Sequence, residues 1–517
     1  MRTAAAAICL AGSAGGAAAQ DPAGAVLRPR TAAEDLQLFS QVLNQIRVNH
    51  PDTVDTHTLF MAAVEGMIRA ADPHSYVIPA QRLSPEKERE LRAGRLHPVP
   101  VSFSFIGGSP VVVSVAPGSA AARLDILPGD LLVAIDGDAV TAESPDELEI
   151  VLAGPKGSGV TLTLERRRLD GSLARVERHV TRERVEEASA VPAAFLLDPQ
   201  TGYVRITTFV GEKVAEDTER ALRALEAAGM RRVVIDLRDN GGGSVAEAAR
   251  IAGAFLPAGS VVYTAEGRKP QISDVGRVKR AFWRSEKAYP VALLINGGTA
   301  SASELVAGAL QDHDRAIVVG HPSFGKALLM QAFPLSDGSV MWLVVGHLRT
   351  PCGRIIQRQY RGITARDYFR LGREARDRAG RETCRTDAGR TVYGGGGIYP
   401  DVVLPEVEPD PLWLARAREL ELPVQWAGAY AGSGALPDSP ETFASSPSLP
   451  AAALADFRAL AEKAGVRVPE SADADRVLAR SLARTVAGVK WGAAGYYRVA
   501  AVLDPEVEAA RRELGKE

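Results

Sequence analysis

Residues 296–304 read Asn-Gly-Gly-Thr-Ala-Ser-Ala-Ser-Glu, two glycines followed by a set of small hydroxyls. The run Val291–Ile295 before them has the continuous apolar character of a buried strand, and the stretch from about Ser301 to Leu310 reads as a helix. A strand, a tight glycine turn and a helix would place Ser301 at a helix N-terminus. Unpaired backbone N–H groups there favour developing negative charge. A serine that attacks a carbonyl needs that stabilisation. A bland explanation fits the same residues: Ser301-x-x-Glu304 is the pattern of a capping box, which requires no catalysis. Spacing alone leaves both open.

Lys326 is the second residue with chemical potential. Between Arg315 and Asp337 it is the only charged side chain, taking His321 as neutral, and Phe324, Ala327, Leu328 and Leu329 surround it. Only 10 of the 61 basic residues are lysine, so a lysine here raises the question of what arginine could not do. An amine in apolar surroundings loses hydration and its pKa falls, which makes it a proton acceptor. A guanidinium stays protonated in proteins. The alternative is a surface lysine snorkelling at a strand end.

A third element, Asp236-Leu237-Arg238-Asp239-Asn240-Gly241-Gly242-Gly243, follows the buried-strand run Val233–Leu237 and precedes a helix from about Val245 to Phe255. Backbone amides in such a turn can form an oxyanion site. A phosphate-binding loop competes with this reading. The dinucleotide spacing G-x-G-x-x-G and the pattern G-x-x-x-x-G-K-[ST] are both absent from the sequence.

These turns need elements to carry them, and the chain is long enough to supply several domains. Its 517 residues predict three or four units. Apolar residues at 46% and charged ones at 24% exclude a wholly disordered or collagen-like chain. Lys plus Arg (61) balances Asp plus Glu (63), and a net charge of −2 offers no basis for nucleic-acid binding. After the N-terminus no run of about 18 apolar residues predicts an integral membrane span. Arg2, the apolar Ala4–Ala14 stretch and Ala17-Ala18-Ala19 read as a secretory signal, residues 1–19, cut near Ala19. Export to the periplasm or the medium is therefore expected. Cys9 would leave with the signal. Cys352 and Cys384 would then either form a disulfide closing a loop of about 33 residues or remain free thiols.

The remaining boundaries follow from periodicity and turn signals. Residues 20–95 form an N-terminal helical region, with Leu36, Phe39, Val42, Leu43 and Ile46 at helical spacing and Asn49-His50-Pro51-Asp52 as a break. Residues 96–185 hold short strands, 186–405 alternate strands and helices as in a multidomain α/β protein, and 406–517 carry a Pro/Ser-rich linker and further helices. The stretch 354–390 has 11 Arg against 5 acidic residues, a contact for an anionic surface or a solvated insertion with its own ion pairs.

Ser301 within Thr-Ala-Ser-Ala-Ser-Glu and Lys326 within Phe-Gly-Lys, 25 positions apart, resemble the carboxyl-terminal processing peptidases, or tail-specific proteases. The likeness includes Asp72-Pro73-His74-Ser75, residues 236–243, Gln311-Asp312 and Tyr393-Gly394-Gly395-Gly396-Gly397-Ile398-Tyr399-Pro400-Asp401. Gly118-Ser119-Ala120-Ala121, Leu127-Pro128-Gly129-Asp130 and Ile135-Asp136-Gly137 resemble a PDZ domain. The resemblance implies a crotonase-like (ClpP/crotonase-type) core of β-β-α units. It also implies a serine endopeptidase with a Ser301/Lys326 dyad, and an oxyanion hole from the backbone N–H groups of Gly242 and Ala302. Protein or peptide substrates are expected, with no cofactor and no metal, and room is left for a homo-oligomer. The family's glutamine four residues after the lysine is here Met330, with Gln331 next as a candidate orienting residue. On a strand, Lys326, Leu328 and Met330 share a face and Gln331 points away unless a bulge intervenes. The stretch aligned with the PDZ carboxylate-binding loop, Leu96–Val101, contains Pro98 and Pro100, which have no N–H to donate.

Two other functions stay in view. A non-catalytic peptide-binding protein on the same scaffold would tolerate Met330 and the two prolines. A Ser/His/Asp hydrolase would take His313 or His347 as its base, although His313, flanked by Asp312 and Asp314, also reads as a helix-end residue.

Overall fold

The computed structural model describes residues 30–516, except 79–95, 107–108, 116–118, 120, 122–123, 125, 127–129, 141, 143–144, 168–172, 184–188, 270, 272, 280–285, 337–338, 363–367, 369–380 and 407–409. The expected signal segment lies outside the described residues, as does much of the arginine-rich stretch. Residues up to Ile68 and residues from Arg69 onward form two compact units.

In the first unit, helix Ala32–Asn49 starts at a capping box. Thr31 Oγ1 accepts the N–H of Glu34 and the Glu34 carboxylate accepts the N–H of Thr31. It ends before Pro51, which disfavours helical backbone in the preceding residue. The apolar stripe expected for it is present, yet none of the helix's residues is buried. Phe39 packs edge-on against Phe60 of the next helix, Thr56–Ala71.

The second unit is built on a sheet whose strands are, in spatial order, Ala193–Asp198, Thr201–Arg205, Arg232–Asp236, Val291–Ile295, Ile317–Gly320 and Val402–Val403. The first pair is antiparallel and the rest run parallel. Parallel strands are covered on both faces, hence the unbroken apolar runs Val233-Val234-Ile235 and Val291–Ile295. Alternation sorts them. Val233, Ile235, Leu293, Ile295 and Val318 pack beneath the helices Val214–Ala227, Val245–Gly253 and Ala302–Asp312. Val234, Ala292, Leu294 and Val319 face Ala501, Val507, Ala510 and Leu514 of the C-terminal helices. Each fully buried Val, Leu or Ile contributes about 1.5–3 kcal/mol, so both layers are needed. The last hundred residues are thus a layer of the core, with their own cluster around Trp426 and Phe457.

A second sheet joins Tyr76–Ile78, Val340–Arg349, Val261–Gly267 and Asp274–Arg277, and Leu328–Pro334 pairs with Val340–Arg349. Through Tyr76–Ile78, the segment after Asp72 belongs to this sheet. Residues 96–181 form a separate sheet, Val101–Ile106, Ser109–Val115, Leu131–Ile135, Gly159–Arg167 and Leu173–Thr181, packed with helix Pro145–Leu152 around Leu132, Leu148, Leu162 and Leu164. Leu96–His97 pairs with Gly154–Pro155 at its border. Cys352 and Cys384 are disulfide-bonded, Cα atoms 6.1 Å apart, tying the loop after Val340–Arg349 to strand Thr383–Arg385.

Candidate active site

Strand Val291–Ile295 ends in the turn Asn296–Ala300, and helix Ala302–Asp312 begins directly after Ser301. Ser301 has φ 57° and ψ −116°. An ordinary capping serine has extended backbone, as Ser244 and Ser471 do in this chain. The Ser301 conformation costs a non-glycine residue about 1–3 kcal/mol and persists only where its surroundings impose it. Here they do. The Ala300 N–H and the Ser303 hydroxyl both donate to the Asn240 carbonyl at 2.9 Å, Thr299 Oγ1 donates to the Leu237 carbonyl at 2.9 Å, and the Phe324 N–H donates to the Thr299 carbonyl at 2.8 Å. The arrangement with Glu304 is that of a capping box, but only its glutamate arm is a full hydrogen bond. The Ser301 hydroxyl makes none to the helix.

Glu304 organises more than a cap. It is fully buried, and its two oxygens accept from four donors: the N–H groups of Ser301 (2.8 Å), Gly325 (2.7 Å) and Lys326 (2.8 Å), and the Ser323 hydroxyl. Burial pushes its pKa up, against the pull of those donors. One oxygen holds both Ser301 and Lys326, so the serine turn and the lysine segment are cross-linked through a single carboxylate.

The side chains of Ser301 and Lys326 line one narrow apolar pocket with Val262, Leu305, Leu348 and Ile356. Burial holds the Lys326 amine below its ordinary pKa of 10.5, opposed by the charges of Glu304 and Asp72. Its Nζ lies 3.5 Å from the Met330 thioether sulfur, a weak acceptor.

Peptidase family S41 matches residues 200–366 of this sequence, and a PDZ domain matches 111–166. The carboxy-terminal-processing protease of Bartonella bacilliformis is 31% identical over 328 residues, which cover 63% of this chain and 73% of that protein. This chain belongs to peptidase family S41. The members it resembles are serine-type, carboxyl-terminal-processing peptidases. The chloroplastic carboxyl-terminal-processing peptidase 2 of Arabidopsis thaliana is 36% identical over 282 residues, 52% of this chain and 53% of that one, so the match spans about half of that relative. A solved photosystem II D1 C-terminal processing protease is 25% identical, with a TM-score of 0.35 over 72% of this chain and 88% of its own.

Other expected site residues of the S41 chain fall differently. Gly242 (φ 99°) lies against the serine turn, so close that a Cβ there would meet Ser301 Cβ at 2.8 Å and the Ala302 nitrogen at 2.9 Å. Its N–H, expected to face an oxyanion, donates instead to Asn240 Oδ1 at 2.9 Å. Ala302, first residue of its helix, has an N–H with no intrahelical acceptor. Gln331 does not orient the lysine in this structure. It is exposed and pairs across the sheet with Leu343, while Met330 occupies the position at the amine. The bulge between Leu329 and Met330 inserts its extra residue in the partner strand and leaves Met330 on the lysine's face. His313 caps its helix with both ring nitrogens engaged, by Asp387 (2.7 Å) and the Val261 carbonyl (2.8 Å). Burial lowers its pKa, but those two acceptors win and raise it, which suits an imidazolium and not a base. His347 is an exposed strand residue. Among the described arginines of 354–390, Arg354 is buried against Asp312 and Gln311 and Arg390 bridges Asp314 and Asp401, so these act as internal cross-links.

Sequence reasoning saw Glu304 only as a cap and did not single out Asn240, Gln357 or Tyr368. The Ser-x-x-Glu pattern located Glu304. Its four donors come from residues up to 22 positions away, which no local pattern records.

Proposed function

We propose that this chain is an exported serine endopeptidase that cleaves proteins near their C-termini, on a crotonase-like core of stacked β-β-α units. One observation carries the reading: a desolvated lysine shares a pocket with a serine held in a strained helix-entry conformation, with a thioether at its nitrogen. Ser301 Oγ attacks the scissile carbonyl carbon and its proton passes to neutral Lys326 Nζ. The carbonyl electron pair moves to oxygen, which accepts from the Ala302 N–H and from the Gly242 N–H once that group exchanges its Asn240 acceptor for the substrate. Collapse breaks the C–N bond, and the leaving amine takes the proton from Lys326. Water then attacks the acyl-serine ester, giving its proton to Lys326, which passes it to Ser301 Oγ as the ester C–O bond breaks, restoring both residues. The scheme calls for no metal or organic cofactor. Residues 1–19 support export to the periplasm or medium, and the partners are protein or peptide substrates.

Ser301→Ala and Lys326→Arg should each abolish cleavage of an unstructured protein while the fold survives. Full activity in either variant removes this mechanism. Cleavage should also increase with pH, with a midpoint below 10.5, because the base is the neutral amine and burial lowers its pKa. A second reading, a peptide-binding protein without turnover, is favoured by the engaged Gly242 N–H and by Met330. Labelling of Ser301 by a fluorophosphonate, with Ser301→Ala as control, separates the two.

A further inference from the structure

The segment that presents Lys326 is held from two sides. Glu304 takes the N–H groups of Gly325 and Lys326, and Gln357 takes the N–H of Ala327 on Oε1 at 2.8 Å. A backbone N–H can only donate, so the Gln357 oxygen faces Ala327 and its amide nitrogen faces Tyr368 Oη, 3.0 Å away. The same phenol oxygen is hydrogen-bonded to His74 Nε2 at 2.8 Å. His74 is itself fixed by Asp72, whose carboxylate accepts the N–H groups of His74 and Ser75 and the Ser75 hydroxyl. Its ring packs edge-on against Phe324, two residues before the lysine, and against Tyr368. His74 and Tyr368 are buried, and the chain joins residues 294 positions apart.

We propose that His74, through Tyr368 and Gln357, is a positioning residue for Lys326. The surroundings keep His74 neutral: burial first and then the Lys326 charge bring its pKa to about 4, with Arg358 acting in the same direction and Asp72 opposing.

The inference rests on Lys326 being the base, so its test has two readouts. In cleavage assays, His74→Phe and Tyr368→Phe should each lower kcat about tenfold with KM unchanged. The double variant should be no worse than either single one, because both cut the same chain. His74→Gln, which restores a hydrogen-bonding partner for the phenol, should recover most of the rate. Independently of cleavage, acylation of the Lys326 amine by an amine-selective reagent, read by peptide mass spectrometry, should be about tenfold faster in His74→Phe as the segment loosens. If His74→Phe fails to fold, Tyr368→Phe carries the same comparison. Unchanged kcat and acylation in both Phe variants, multiplicative losses in the double variant, or a His74→Gln enzyme as slow as His74→Phe each overturn the proposal. A wild-type chain that cleaves nothing overturns the base reading instead, and the acylation rates still decide the brace.

Discussion

Glu304→Gln separates the geometric role of this carboxylate from its charge. In the native site one oxygen accepts from Ser301 and Lys326 N–H, the other from Gly325 N–H and the Ser323 hydroxyl. An amide replaces one of those oxygens with an NH2 group facing two donors. The gentler orientation turns the NH2 toward Ser323, whose hydroxyl can rotate and accept, and leaves only the Gly325 N–H buried without a partner. That costs about 1–3 kcal/mol, whereas the opposite orientation orphans two backbone donors for about 2–6 kcal/mol. The chain should therefore fold with about 1–3 kcal/mol less stability, and kcat should fall about 10- to 100-fold as the lysine segment loses an anchor. Removing the negative charge also deletes the first of the influences that raise the Lys326 pKa, so the acid limb of the rate profile should move to lower pH. Initial rates on an unstructured protein substrate across pH, with urea unfolding alongside, give both quantities. A fast enzyme whose acid limb stays put or moves up would refute the reasoning, since it would mean Glu304 neither places nor influences the base.

Gly242→Ala would put a methyl group 2.8 Å from the Ala300 carbonyl oxygen and 2.9 Å from the Ala302 nitrogen, at φ 99°; a loss of about 10²–10³ in kcat is expected, as for a lost oxyanion donor, with kcat near wild type as the contrary result. His74, shifted from 6.5 to about 4, binds fewer protons folded than unfolded between those values. Stability should thus fall as pH drops through that window, by at most about 3 kcal/mol at about 1.4 kcal/mol per pH unit, and His74→Phe should flatten that slope in urea titrations. Arg238 bridges Asp236 (2.7 Å), Asp504 (2.8 Å) and Glu506 (2.6 Å), joining the base of the glycine turn to the C-terminal helices. Arg238→Ala leaves those carboxylates short of a partner and should destabilise the chain by about 3–5 kcal/mol in urea, with reduced turnover.

Strand–glycine–helix units and the face shared by Lys326 and Met330 were legible because each is written in neighbouring residues. Alternation along Leu328–Pro334 placed Met330 at the amine, and the bulge did not disturb it because the extra residue belongs to the opposite strand. The nucleophile-or-cap ambiguity at Ser301 was not resolvable locally. What separates Ser301 from an ordinary cap is its backbone conformation, held by Asn240, Leu237 and Phe324, which arrive from other turns. Residues 406–517 read as a linker with further helices, and nothing in their pattern named the face of the central sheet that Val507, Ala510 and Leu514 cover. Gly242 was expected as an oxyanion donor and lies against the serine turn, but the hydrogen bond of its own N–H to Asn240 Oδ1 follows from a side-chain rotamer.

Two carboxylates, Glu304 and Asp72, raise the Lys326 pKa, and burial still holds it below its ordinary value. Neither needs to touch the amine to do its task. Glu304 spends its lone pairs on four donors and Asp72 on the His74–Ser75 turn, so both serve as anchors for backbone. The balance follows from magnitudes. A base loses about tenfold in its neutral fraction for each pH unit by which its pKa exceeds the working pH. Misplacing a reacting group by about 1 Å costs about 10²-fold. On the proposed mechanism, a site that must hold a serine in strained backbone beside a lysine on a different segment therefore gains more from rigid anchoring by anions than it loses in neutral amine. Neutral anchors alone could not substitute, because an amide in the place of Glu304 cannot accept from three backbone N–H groups and a hydroxyl at once.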